Sequence, residues 1–348
     1  MAAMSSLSRR EFLQLTGVAL GSLAFTPWLG IPGDSSDGVS LARATRFGVG
    51  IQDNPDPKAP LVRRLNRDEV VPVLEEVIGP NGPAGNPRWF RLRDGFAHTA
   101  FLQPVRDALN LPLETVEAPG RLAEVTVPYT QSFERADPSS RPLYRLYYSA
   151  VFWVVGIGQG ADGEPWYTLF DERLNMRFYV HAADLRAFQL GELDPLSAEV
   201  PLEQKRVEVD QAQQCLTAFE SDRSVFTTTI SAGRYRANPS GQEDKTWTPV
   251  GRFAVFQKMP SRHMGDGRLT SDIEANEYPG VPWVSLFTIS GIAFHGVYWH
   301  NDFGRPRSDG CINMRPADAL WIYRWVRPIV PLSFFSEQQL GTPVLVTG

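Results

Sequence analysis

Two stretches of this chain repeat one pattern, and that pattern fits a β-hairpin. Trp89-Phe90-Arg91-Leu92-Arg93-Asp94-Gly95-Phe96-Ala97-His98 runs on to Ala100-Phe101-Leu102. Trp166-Tyr167-Thr168-Leu169-Phe170-Asp171 runs, after a longer turn, to Phe178-Tyr179-Val180-His181-Ala182-Ala183-Asp184-Leu185. In each copy aromatic and polar residues alternate, the chain turns at Asp or Gly, and the alternation resumes. One face of each strand is therefore apolar and must be buried. Shorter β-prone runs precede the two copies, at 69–74 and 150–155. With 29 glycines and 28 prolines and few long amphipathic patterns, the chain is expected to be mainly β, built of short strands and many turns. Because His98 and His181 fall at the same place in each copy, both read as architectural residues.

The two copies resemble bacterial SH3-like barrels, expected here at 44–105 and 122–192. Such barrels often hold wall peptides or a neighbouring domain, while core packing is the simpler role for most of their aromatics. The length of 348 residues allows two or three domains. Hydrophobic residues make up 43% and charged residues 21%, as in ordinary folded proteins. The net charge of −5 argues against a nucleic-acid partner, which selects for a basic face.

The segment 1–30 reads as a targeting signal. Ser8-Arg9-Arg10-Glu11-Phe12-Leu13-Gln14 resembles the twin-arginine export motif, and an uncharged apolar run follows to about Leu29. Positive charge ahead of a short apolar run is the secretory pattern. Gly17, Gly21 and Pro27 make the run a weak spanning helix. An extracytoplasmic location follows, with contact to the membrane only through an uncleaved signal.

The chain has two cysteines, Cys215 and Cys311. A pair in an exported protein could form a disulfide, but Cys311 sits in a segment with a more specific explanation, and Cys215 lies in an alternating run as an inert thiol. From about residue 204 the sequence contains Val-Asp-x-x-x-Gln at 209–214, Ser231-Ala232-Gly233, Thr248-Pro249-Val250-Gly251-Arg252-Phe253, Gly291-Ile292-Ala293-Phe294-His295-Gly296 and Ser308-Asp309-Gly310-Cys311-Ile312-Asn313-Met314. These five pieces, in this order over 204–348, resemble the catalytic domain of the L,D-transpeptidase family. The resemblance implies a β-sandwich domain with a few short helices, a nucleophilic Cys311 and His295 as its base. It also implies a reaction in which the bond after the diamino acid of a peptidoglycan tetrapeptide stem is cut and the acyl group joined to another stem.

The residues support that chemistry in their own right. A thiol attacks as thiolate and needs a base or a positive environment. The sixteen positions from His295 to Cys311 leave room for a loop that returns the cysteine to the histidine. Backbone N–H groups around Gly310 and Cys311 are candidate oxyanion donors. Pro316 opens a helical pattern, whose positive end would favour the thiolate. The family usually has Ser-His-Gly-Cys, whereas this chain has Asp309 after Ser308. Asp309 either raises the thiol pKa as a neighbouring charge or orients a histidine, with His300 as the replacement imidazole. Asn313 aligns with a family position held by Arg or Asn. Arg305 and Arg307 are candidates to receive a stem carboxylate through bidentate bonds, against the alternative of a solvated loop. Tyr278 and Trp283 either line a cleft or pack in the core. His263, in a glycine-bearing loop, reads as a surface residue or part of a lid. No metal-ligand spacing is present among the five histidines, so neither a metal nor another cofactor is expected.

Three other functions compete. An L,D-carboxypeptidase would differ only in letting water resolve the acyl-enzyme. A papain-like endopeptidase needs a histidine after the cysteine, and none follows Cys311. A catalytically lapsed wall-binding protein is favoured by Asp309 alone.

Overall fold

The computed structural model describes residues 40–234, 247–329 and 338–348; the signal expected at 1–30 lies outside them. Alternation at period two is realised as strands almost throughout. Among the described residues the α-helix Pro316–Trp325 and three single 3-10 turns interrupt them.

The first repeat pairs strand Arg88–Leu92 with Gly95–His98, and the second pairs Pro165–Asp171 with Met176–His181. In both hairpins the tryptophan faces the histidine across the ladder, Trp89 opposite His98 and Trp166 opposite His181. Their rings touch, with centroids 5.2 Å and 4.0 Å apart. A 3-10 turn follows each histidine, at Thr99–Phe101 and Ala182–Asp184, before the next strand begins. His98 accepts the Ala100 N–H at Nδ1 (3.2 Å) and donates from Nε2 to the Asn86 carbonyl (2.8 Å). The first module is a three-stranded and a five-stranded sheet within 41–105, and the second a seven-stranded sheet within 121–187. Their ladders do not close on themselves among the described residues.

The C-terminal part contains a five-stranded sheet and a four-stranded sheet. In the first, Lys205–Asp210 is flanked by Cys215–Glu220 and, in parallel, by Pro343–Thr347. The second runs in the order Gln257–Gly265, Glu277–Leu286, Ala293–Gly296, Ile312–Met314. Val207, Leu216 and Val344 from one sheet, Phe294, Ile312 and Met314 from the other, and Ala319 and Ile322 of the helix share one core. That core also takes in Leu122, Val151, Trp153 and Phe188 of the second module. The expected boundary between module and catalytic domain is thus crossed by continuous apolar packing, and the described residues form one compact unit. Trp283 belongs to this core, packed on Phe188 and Tyr323, so it does not line a cleft.

Candidate active site

Strands Ala293–Gly296 and Ile312–Met314 are parallel neighbours, with His295 opposite Asn313 and Phe294 opposite Ile312. Parallel neighbours cannot be joined by a tight turn, because the chain must travel back along the sheet before starting again. The sixteen-residue spacing is that crossover, and it sets Cys311 immediately before its strand. Side chains alternate between faces. Phe294, Ile312 and Met314 enter the main core, so Ala293, His295, Cys311 and Asn313 share the opposite face. There Cys311 packs on an apolar cluster that includes Met259, Val281, Ala293, Tyr278 and Trp299.

His295 is buried (2% exposed) and its Nδ1 lies 3.0 Å from the Gly296 carbonyl. A carbonyl only accepts, so Nδ1 carries the proton and Nε2 keeps its lone pair. Burial lowers the His295 pKa to about 4, although the Gly296 bond opposes this. The Cys311 thiol is pushed up to about 11, first by burial and in smaller part by the Asp309 charge, against a bond from the Ala293 N–H. The expected help from the helix start is therefore outweighed by desolvation. Sγ lies 3.8 Å from the Gly291 carbonyl, a contact that suits the protonated thiol. Cys311 and His295 share a face without a hydrogen bond between them. The resting pair is neutral.

The Cys311 turn is held from several sides. Ser308 Oγ donates to the Cys311 carbonyl and accepts the Gly310 N–H at 3.0 Å. The Gly310 N–H is thereby occupied, which removes it from the expected oxyanion donors. Gly310 has φ +124°, a backbone conformation that favours glycine. Thr248 accepts the Gly233 N–H at 2.9 Å and donates to the Gly310 carbonyl at 2.7 Å. The Thr-Pro and Ser-x-Gly segments were legible as motifs, but this bracing role of Thr248 had no sequence signal. Ser231 exchanges two backbone bonds with Asn313, at 2.9 and 3.0 Å.

His300 is buried and bonded to Asn313 (2.9 Å) and to the Asp302 N–H (3.2 Å). Its pKa falls to about 3, mainly through burial. Asp309 is exposed and pairs with Arg234 at 3.0 Å. The expected Asp309–His300 pair is therefore not formed: a turn residue open to solvent cannot reach an imidazole committed to Asn313. His300 holds Asn313, which lies opposite His295 across the parallel pair.

Arg307 pairs with Asp302, which is fully buried, and Arg305 lies 3.9 Å from the same carboxylate. Both arginines face the first module, where they line a cavity with Arg46 and His98. This loop is tied to that module throughout. Asn86 Nδ2 donates to Asp302 (2.8 Å), the Asn301 N–H to the Ala100 carbonyl (2.8 Å), and buried Arg43 to the Tyr298 carbonyl (2.8 Å). Gly85 and Gly304, both at positive φ, meet so closely that a Cβ on Gly304 would lie 2.1 Å from the Gly85 oxygen.

His263 is neither on the surface nor in a free lid. It is 2% exposed, with Nδ1 2.6 Å from Asp171 and Nε2 2.9 Å from Glu277. Burial would lower its pKa, but the bonds and charges of Asp171 and Glu277 raise it. It clamps the hairpin Gln257–Gly265/Glu277–Leu286 to the second module. Tyr278 packs on Trp299, centroids 4.4 Å apart, and Trp299 is 5.9 Å from the His295 ring. Trp299, which the sequence did not single out, thus joins Tyr278 beside the thiol. Both cysteines are free thiols.

Residues 204–346 match the YkuD family, the L,D-transpeptidase catalytic domain. Among solved structures, similarity is found to an L,D-transpeptidase from Xylanimonas cellulosilytica (26% identity, 41% of this chain and 60% of that one, TM-score 0.30). It is found also to one from Mycobacterium smegmatis (24%, 42% and 59%, TM-score 0.31) and to an Enterococcus faecium L,D-transpeptidase mutant (23%, 42% and 50%, TM-score 0.31). The chain thus spans about three fifths or less of the length of these structures. No curated protein matches.

Proposed function

We propose that this chain is an exported L,D-transpeptidase that cross-links peptidoglycan stem peptides through a Cys311 acyl-enzyme. The observation that carries the reading is the shared face of Cys311 and His295 on parallel neighbouring strands, with the histidine tautomer set by Gly296. As the stem carbonyl is brought over the sulfur, the S–H proton passes to His295 Nε2 while Sγ bonds to the carbonyl carbon. Contacts between nucleophile and base that are loose in a free enzyme tighten in the substrate complex. The Cys311 N–H is the oxyanion donor, since that of Gly310 is engaged by Ser308. Collapse expels the terminal amino acid as an amine, which takes the proton back from His295. The amine of a second stem then attacks the thioester, His295 accepts its proton, and Cys311 leaves as thiol. Trp299 and Tyr278 form the apolar wall that keeps water from competing with that amine.

The two N-terminal modules are assigned as SH3-like, supported by their shared tryptophan–histidine hairpin. Export is assigned to the twin-arginine pattern at 8–14.

The test is incubation with a carbapenem followed by mass spectrometry. The expected result is one adduct on Cys311, abolished in Cys311→Ser and slowed roughly 100-fold or more in His295→Asn. An unmodified wild-type chain, or an adduct on Cys215, would refute the reading.

A further inference from the structure

A cavity of about 220 Å³ lies between the first module and the loop that leads to the nucleophile. Its lining includes Arg46, Gln52, His98, Phe101, Arg305 and Arg307. Three guanidinium groups therefore border one small space, with Asp302 as their compensating carboxylate. Asp302 is already engaged by Arg307 and by Asn86 at 2.8 Å, and stands 3.9 Å from Arg305. Arg46 forms no ion pair among the described residues and lies over the Phe101 ring, 3.5 Å from its centroid. Arg307 lies over the same ring at 5.3 Å, so two like charges converge on one aromatic side chain. Partial desolvation and then their repulsion lower the Arg46 pKa, against the Asp302 charge. His98 adds no charge, since it accepts at Nδ1 and donates from Nε2. The count leaves two positive charges uncompensated, on a chain whose net charge is −5. Guanidinium forks match planar and tetrahedral oxyanions through paired, charge-assisted bonds.

We infer that this cavity is an anion-binding site that takes a carboxylate or phosphate group of a cell-wall polymer, separately from the thiol. Its volume is below that of sites that enclose a drug-sized molecule, so it takes one anionic group of a longer ligand. Charge neutralisation by that anion relieves the Arg46–Arg307 repulsion. Arg307 adjoins Ser308, which holds the Cys311 carbonyl, so occupancy also steadies the nucleophile turn. The cavity's charge is independent of the thiol chemistry; only the assignment of its ligand to the wall rests on the transpeptidase reading.

The test is titration calorimetry on the full chain with two probes, a soluble tetrapeptide stem and glycerol phosphate. Each probe is measured against wild type, Arg46→Gln and Arg305→Gln. Arg46 is largely exposed and forms no ion pair among the described residues, so its substitution should cost little stability. One charge-assisted bond fewer should weaken the probe that occupies the cavity roughly tenfold or more, and that probe identifies the wall component. A stem held only at the thiol binds all three proteins equally, so the inference is overturned if neither probe is weakened by Arg46→Gln or Arg305→Gln, or if neither binds at all. A wild-type chain that binds anions here but resists carbapenem acylation would sink the transpeptidase reading and leave this site standing.

Discussion

The neutral resting pair makes a quantitative prediction for simple alkylating agents, which receive no help from a base positioned for substrate. With the Cys311 thiol at about 11, the thiolate fraction at pH 7 is ~10⁻⁴, against ~3% for an ordinary cysteine of pKa about 8.5. That is roughly 300-fold less reactive species. A more basic thiolate is also a better nucleophile, by roughly tenfold over this interval. The net expectation is alkylation by iodoacetamide roughly twentyfold to thirtyfold slower than free cysteine at pH 7. The rate should keep rising with pH, with no plateau before about pH 10. The assay uses Cys215→Ser, which leaves one thiol, and follows mass change from pH 6 to 11. Asp309→Asn should gain at most about tenfold, one pKa unit, because burial is the larger cause of the shift and the Asp309 charge a smaller one. Carbapenem acylation should behave differently, because it is assisted by His295. With a base of pKa about 4, it should weaken only as the pH falls towards that value. A plateau in alkylation below pH 8, or a pH 7 rate matching free cysteine, would show a thiolate–imidazolium pair and refute the account.

The His263 clamp has a raised pKa, so its stabilisation is complete below the ordinary value of about 6.5 and is lost as pH rises through the folded value. Thermal unfolding of wild type should therefore fall with rising pH above neutrality, and His263→Gln should lose that dependence. The groups facing His263 are Asp171, Glu277, Tyr144 and Glu172, with Arg262 beside Glu172. Removing it leaves two carboxylates buried without their cation, at a cost of about 3–5 kcal/mol. Asn86→Ala deprives Asp302 of one bond, and chemical denaturation should show a loss of about 1–3 kcal/mol together with slower carbapenem acylation. Replacing Arg9 and Arg10 by Lys should retain the precursor inside the cell; unchanged export in a fractionation assay would favour the general secretory route.

What the sequence made legible was local or carried by a motif. The two hairpins could be read because alternation at period two and a turn at Asp or Gly lie within about twenty residues of each other. Cys311 and His295 could be read from the motifs around them, and their spacing has a physical meaning in the crossover between parallel strands. Local reading failed where a side chain's environment comes from far along the chain. His263 sits among glycines and polar residues, the signature of a loop, yet its burial is created by Asp171, 92 residues away. Arg305 and Arg307 read as solvated or ligand-seeking cations because Asn86, 216 residues before Asp302, and Phe101 give no sign of converging on them. Asp309 and His300 are near in sequence and have complementary chemistry, but the backbone turns one to solvent and the other onto Asn313.

These failures share a cause with consequences for the chemistry. The fold was expected as two small modules, of a kind that hold wall peptides or a neighbouring domain, followed by a catalytic domain. In the structure each module braces a different part of the candidate site. The first holds the loop between His295 and Cys311, through Asn86, Ala100 and Arg43. The second holds the hairpin that walls the thiol, through Asp171 on His263, Arg173 on the Gly265 carbonyl at 2.7 Å and Tyr144 on the Arg268 carbonyl at 2.8 Å. A neutral thiol that relies on the approach of a base has no stored electrostatic activation, so its reactivity depends on how closely the turn and the base are positioned. A displacement of about 1 Å at such a pair can cost on the order of 100-fold in rate. Bracing from both modules supplies the positional control that a charged resting pair would not need. Loss of either contact set should therefore slow acylation well before it unfolds the chain.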